Sequence, residues 1–128
     1  MGAALYIVLE TEIPGLDTMV DGKMLSRAEE RLADAATRRG VRPLMEFFSM
    51  NPEEAGGFLE GEGLEGVVEV PAEQWFLPEE GLRTVQALLG EAEASPELSE
   101  ALQDLQGFQR ILQEAEKNGV RWHLAVDI

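Results

Sequence analysis

Leu98, Ala101, Leu102, Leu105, Phe108, Ile111, Leu112 and Ala115 recur three or four residues apart, so on a helix they fall along one side. A stripe of about five turns needs an apolar surface to lie on, and this constrains the fold more than any other feature of the chain. Ser95-Pro96 starts that helix and Asn118-Gly119 closes it. The partner surface is close at hand. Pro78-Glu79-Glu80 places a proline and two acids at a helix start, and Leu82, Val85, Leu88, Leu89 and Ala92 follow at helical spacing until Gly90 and Ser95-Pro96 end it. So short a connection predicts two neighbouring antiparallel helices.

The rest of the chain alternates between strand and turn signals. Residues 4–10 alternate, with Leu5, Ile7 and Leu9 on one side and Tyr6, Val8 and Glu10 on the other, as in a central strand. Pro14, Gly15 and Asp21-Gly22 make residues 11–23 a loop. Ser26 and Glu29 fit a capping box, and Gly40 supplies a left-handed stop, which predicts a first helix over 26–39 with Ala28, Leu32, Ala35 and Ala36 inward. PLMEFFSM (43–50) reads as a second strand, Asn51-Pro52-Glu53-Glu54 as the start of a short helix stopped by Gly56-Gly57, and VVEV (67–70) as a third strand. VRWHLAVDI (120–128) is a last alternating strand. The order predicts one α+β domain over residues 1–128, with a mixed or mostly antiparallel sheet of about four strands and three main helices packed on one face.

Charge is unevenly distributed. Residues 51–109 carry fourteen acids against Arg83 alone, whereas residues 22–50 carry six bases and four acids, in a chain of net charge −15. Such a field repels nucleic-acid phosphates and anionic membrane surfaces and attracts basic partners. The absence of cysteine excludes disulfides, thiolate metal sites and thiol nucleophiles. The N-terminal apolar run is too short for a spanning helix and has no basic flank, so the expected location is the cytoplasm.

Candidate chemistry is sparse. GEGLEG (61–66) has the G-x-G-x-x-G spacing of a dinucleotide loop, but it precedes a strand rather than a helix, and Glu60, Glu62 and Glu65 would repel a pyrophosphate. It reads as a glycine-rich loop, and neither a cofactor nor a metal is expected. DTMVDG (17–22) lacks the ligand spacing of a calcium loop, and Ser49 has no recognisable base beside it. His123 is the sole histidine, on the strand face with Arg121, Ala125 and Asp127. With Tyr6 and Glu46 on the same face it would supply acid-base or cation-binding groups. His123 and Asp127 are nonetheless about 13 Å apart along a strand, too far to share one ion. Trp75 and Phe76 stand before the proline-started helix, where packing is one role. Exposure beside Phe58 among Glu53, Glu54, Glu60, Glu62 and Glu65 is the other, giving aromatic anchors in an acidic rim.

PLMEFFSM, EQWFLPEEGLRTVQALL and GVRWHLAVD together resemble a group of small acidic bacterial proteins of unknown function. The resemblance implies a bacterial cytoplasmic single domain and carries no activity. Three readings follow. The first is a non-enzymatic binding or regulatory protein, inhibitor- or immunity-like, that offers the acidic lobe of residues 51–80 to a basic protein. The second is a small enzyme or cation-binding domain built on the sheet face around His123. The third is a homodimer joined through an open sheet face or edge.

Overall fold

The apolar stripe is housed in two pieces of helix rather than one. The structure, a computed structural model, describes residues 4–18, 20, 22–49 and 73–127. In chain order its elements are strand β1 (Ala4–Leu9), helices α1 (Lys23–Arg27) and α2 (Glu29–Arg39), a 3-10 turn (Leu44–Phe47), helix α3 (Pro78–Ala94), a second 3-10 turn (Pro96–Ala101), helix α4 (Leu102–Asn118) and strand β2 (Trp122–Asp127). The 3-10 turn takes up Leu98 and Ala101, and α4 continues the stripe with Leu105, Phe108, Ile111, Leu112 and Ala115, all buried. Helix α3 packs along α4 and buries Leu82, Val85, Leu88, Leu89 and Ala92. One predicted end signal holds in each long helix, whereas α3 runs through Gly90 to Ala94 and α4 starts at Leu102 rather than at Pro96. Pro78 opens α3 ahead of Glu79 and Glu80, and Gly119 closes α4 in the left-handed region at φ 66°.

Strands β1 and β2 pair antiparallel, with Tyr6 opposite Ala125, Ile7 opposite Leu124 and Val8 opposite His123. Alternation then sorts the side chains. Leu5, Ile7, Trp122 and Leu124 enter the helical core, and Tyr6, Val8, His123 and Ala125 share the other face. Trp122, fully buried, stacks on Phe47 at 4.9 Å between ring centroids, and Phe76 meets Phe47 edge-on at 5.2 Å. Such ring pairs add about 0.5–1.5 kcal/mol each beyond the area they bury. The Trp122 indole Nε1–H donates to the Leu77 carbonyl at 3.2 Å, tying this cluster to the start of α3.

The expected four-strand sheet with three helices on one face is not found. Among the described residues the sheet has two strands, and there are four helices rather than three. The discrepancy lies at residues 43–50. There Leu44 and Phe47 are buried while Glu46 is exposed, a period of three that suits a 3-10 turn better than a strand. Local bonds from Glu46 N to Pro43 O and from Phe48 N to Met45 O satisfy the backbone, so that only Phe48 bridges to Leu124. The first predicted helix is also revised. It starts at Lys23, breaks at Ala28, and has no side-chain cap from Ser26, whose own N–H donates to Gly22 O inside α1. The strand expected at 67–70 and the short helix after Asn51 lie outside the described residues.

Both outer edges of the sheet carry backbone bonds to neighbouring segments. Beside β1, Leu5 N donates to Gly22 O. On the outer side of β2, Trp122 and Phe76 exchange both backbone bonds (2.7 and 3.0 Å), and Ser49 N donates to Leu124 O. Among the described residues no helix is long and apolar enough to cross a membrane.

Candidate functional site

The pairing of Phe76 with Trp122 determines what covers the second sheet face. The segment runs antiparallel to β2, so Trp75 comes opposite His123, and Glu73, two residues earlier, falls on the same side. The Trp75 and His123 rings lie 4.8 Å apart with planes tilted by 50°. Glu73 Oε2 lies 2.9 Å from His123 Nε2, and His123 Nδ1 lies 3.0 Å from the Leu124 carbonyl oxygen. His123 is 3% exposed, so the imidazole makes these contacts away from bulk water. Ser49, also buried, accepts a hydrogen bond at its Oγ from Gln74 N at 2.7 Å, a second tie on the same segment.

The group expected around His123 is only partly assembled. Tyr6 does share the sheet face and, diagonal to His123 across the ladder, is 38% exposed. Glu46 is exposed on the 3-10 turn, where Leu44 and Phe47 take the inward positions. Asp127 pairs with Ala4 at the far end of β2. Glu73 is the carboxylate that meets the histidine. Nothing in the sequence marked it, because the contact depends on the register of residues 50 positions apart. Of the candidate partner-binding residues, Trp75 lies half-buried over His123, and Phe76 packs against Phe47. Glu53, Glu54, Phe58, Glu60, Glu62 and Glu65 lie outside the described residues. Among the described residues no group of three histidine, cysteine or acidic side chains is placed to hold a metal ion.

Two carboxylates are fixed by arginines. Glu91 on α3 accepts from Arg39 Nε at 2.9 Å and lies 3.6 Å from Arg38, so the last turn of α2 is joined to α3. Glu10 is held by a two-pronged contact with Arg121, joining the ends of the two strands. The arginine hydrogen bond in each case holds the carboxyl below the usual carboxylate range, and Glu10 in turn raises Arg121.

A cleft of about 500 Å³ opens between α1 and α4. Met24 and Val20 give it an apolar side, and Glu100, Gln103 and Asp104 a polar one. Glu100 comes from the 3-10 turn and is exposed, and Asp104 comes from the first turn of α4 and is buried. Arg110, whose Nη2 donates to Asp17 O at 3.3 Å, also lines it. Compared with known families, curated proteins and solved structures, the chain matches none.

Proposed function

We propose that this is a non-enzymatic, cytoplasmic binding or regulatory protein that offers an acidic surface to a basic protein partner. The observation that carries the reading is the concentration of charge: fourteen acids against one base over residues 51–109. Among the described residues of that stretch, Glu79, Glu80, Glu93, Glu97 and Glu100 are exposed. Like charges gathered in this way repel one another, and a basic surface relieves that repulsion while speeding encounter. The alternative built on His123 has less support, since that ring is buried beneath Trp75 with both nitrogens engaged.

The test is capture from lysate of the source cell at low and at high salt. Wild type is compared with a variant carrying glutamine at Glu53, Glu54, Glu60, Glu62 and Glu65. A second variant neutralises five exposed acids elsewhere, Glu12, Glu30, Asp34, Glu46 and Glu116, and so has the same net charge. The proposal expects a basic partner retained at low salt by wild type and by the second variant, and lost by the first. Equal loss from both variants would reduce the effect to net charge and defeat the assignment to this lobe.

A further inference from the structure

Several arginines of this chain turn toward carboxylates: Arg38 and Arg39 to Glu91, Arg31 to Glu97 and Arg121 to Glu10. Arg42 and Arg83, like Arg27 and Arg110, do not. Among the described residues neither Arg42 nor Arg83 reaches a carboxylate at ion-pair distance, although the chain holds 25 acids and only 10 bases. Both line one cleft of about 170 Å³, together with Phe47, Thr84 and Glu80.

Arg42 is held at both ends. Its backbone carbonyl accepts a hydrogen bond of 2.6 Å from the Thr84 hydroxyl, on a side chain that is fully buried in α3. Its guanidinium carbon lies 5.3 Å from the Phe47 ring centroid and 5.6 Å from that of Phe76. Phe47 is itself locked between Phe76 and Trp122. A guanidinium resting on aromatic faces keeps its charge and its in-plane N–H donors, and its rotamer freedom is already reduced before a ligand arrives. Arg83, on the exposed side of α3, brings a second set of donors to the same cleft.

We propose that this cleft is an oxyanion site, in which Arg42 and Arg83 hold a single phosphate or carboxylate group of a small molecule. Planar N–H forks match both kinds of oxyanion, and the volume lies below the roughly 300–1,000 Å³ of sites for drug-sized ligands. The site takes one small charged group rather than a large cofactor. Glu80 lines the same cleft and opposes an anion there, so its removal is expected to tighten binding. The site is independent of the acidic surface proposed above and stands or falls separately.

The test is a titration followed by backbone and arginine side-chain NMR, with inorganic phosphate in one arm and malonate in the other. Sodium chloride keeps the ionic strength constant. Saturable shifts confined to Val41, Arg42, Arg83, Thr84 and their neighbours are expected in at least one arm, and the stronger arm identifies the ligand chemistry. Arg83→Gln is expected to weaken binding about tenfold or more, Arg42→Lys to weaken it by keeping the charge without the planar fork, and Glu80→Gln to tighten it about threefold. Arg83 is exposed, so its variant keeps the fold, which an unchanged melting temperature verifies. Shifts that follow chloride as closely as phosphate and malonate, or an affinity unmoved by Arg83→Gln, would overturn the proposal.

Discussion

Gly81 and Gly90 lie in the same helix, yet alanine is expected to act on them with opposite signs. In a helix interior alanine is favoured over glycine by about 0.8–1 kcal/mol, which alone would make both substitutions stabilising. At Gly90 a new Cβ meets nothing closer than Arg39 Nη2 at 3.7 Å, so the gain is kept. At Gly81 the new carbon would stand 2.3 Å from Trp122 Cζ2, 2.7 Å from Cε2 and 2.9 Å from Nε1. The indole has nowhere to go: it is fully buried, stacked on Phe47, and hydrogen-bonded through Nε1 to Leu77 O. Overpacking of this kind costs about 1–3 kcal/mol or more, and a lost indole hydrogen bond adds about 1 kcal/mol. Gly81→Ala is therefore expected to destabilise by about 1–3 kcal/mol net, and Gly90→Ala to stabilise by about 0.5–1 kcal/mol. At an unfolding entropy of roughly 2.1 cal/mol/K per residue, the gap corresponds to about 6–15 °C between their melting temperatures. Thermal unfolding followed by circular dichroism measures it, with near-ultraviolet signals reporting Trp122. Shifts of the same sign in both variants would refute the packing of α3 on Trp122.

Three further outcomes are expected. Glu73→Ala removes the oxygen facing the buried His123 Nε2 and is expected to cost about 1–3 kcal/mol, with a change in Trp75 fluorescence as residues 73–76 loosen; an unchanged denaturation midpoint would contradict the contact. Thr84→Val keeps the side-chain shape but leaves the Arg42 carbonyl without its donor, an expected loss of about 1–2 kcal/mol in urea unfolding. Glu91 has a folded-state pKa below its unfolded value, so its contribution is complete above the ordinary carboxyl range and is lost as pH falls through that range. The stability difference between wild type and Glu91→Gln is therefore expected to shrink on acidification from about pH 6 to about pH 3, and a difference that stays constant would show that the Arg39 contact does not act on this carboxyl.

What could be read ahead of the structure followed from periodicity and end signals. The α3–α4 stripe, Pro78 and Gly119 were legible because each uses local spacing or a local backbone demand. The faces of β1 and β2 were legible because alternation is local too. Residues 43–50 misled because aromatic content suggests a strand, whereas the deciding feature is the three-residue interval from Leu44 to Phe47 and the backbone bonds it permits. Helix α1 was displaced for a similar reason: Ser26 and Glu29 have the spacing of a cap, but Gly22 takes that position. The long-range side-chain contacts were invisible. Glu73 with His123, Arg39 with Glu91 and Thr84 with Arg42 each join residues 42 to 52 positions apart, and only the folded register brings them together.

The acidic surface is tested most directly by association kinetics with the partner captured from lysate, measured by stopped flow across a range of ionic strength. Electrostatic guidance raises association rates by about 10- to 1,000-fold and fades as salt screens it. Neutralising Glu53, Glu54, Glu60, Glu62 and Glu65 is expected to lower the association rate at low salt by about tenfold or more, to flatten its salt dependence, and to leave dissociation nearly unchanged. An association rate indifferent both to salt and to these five charges would contradict the claim that the acidic surface recruits the partner.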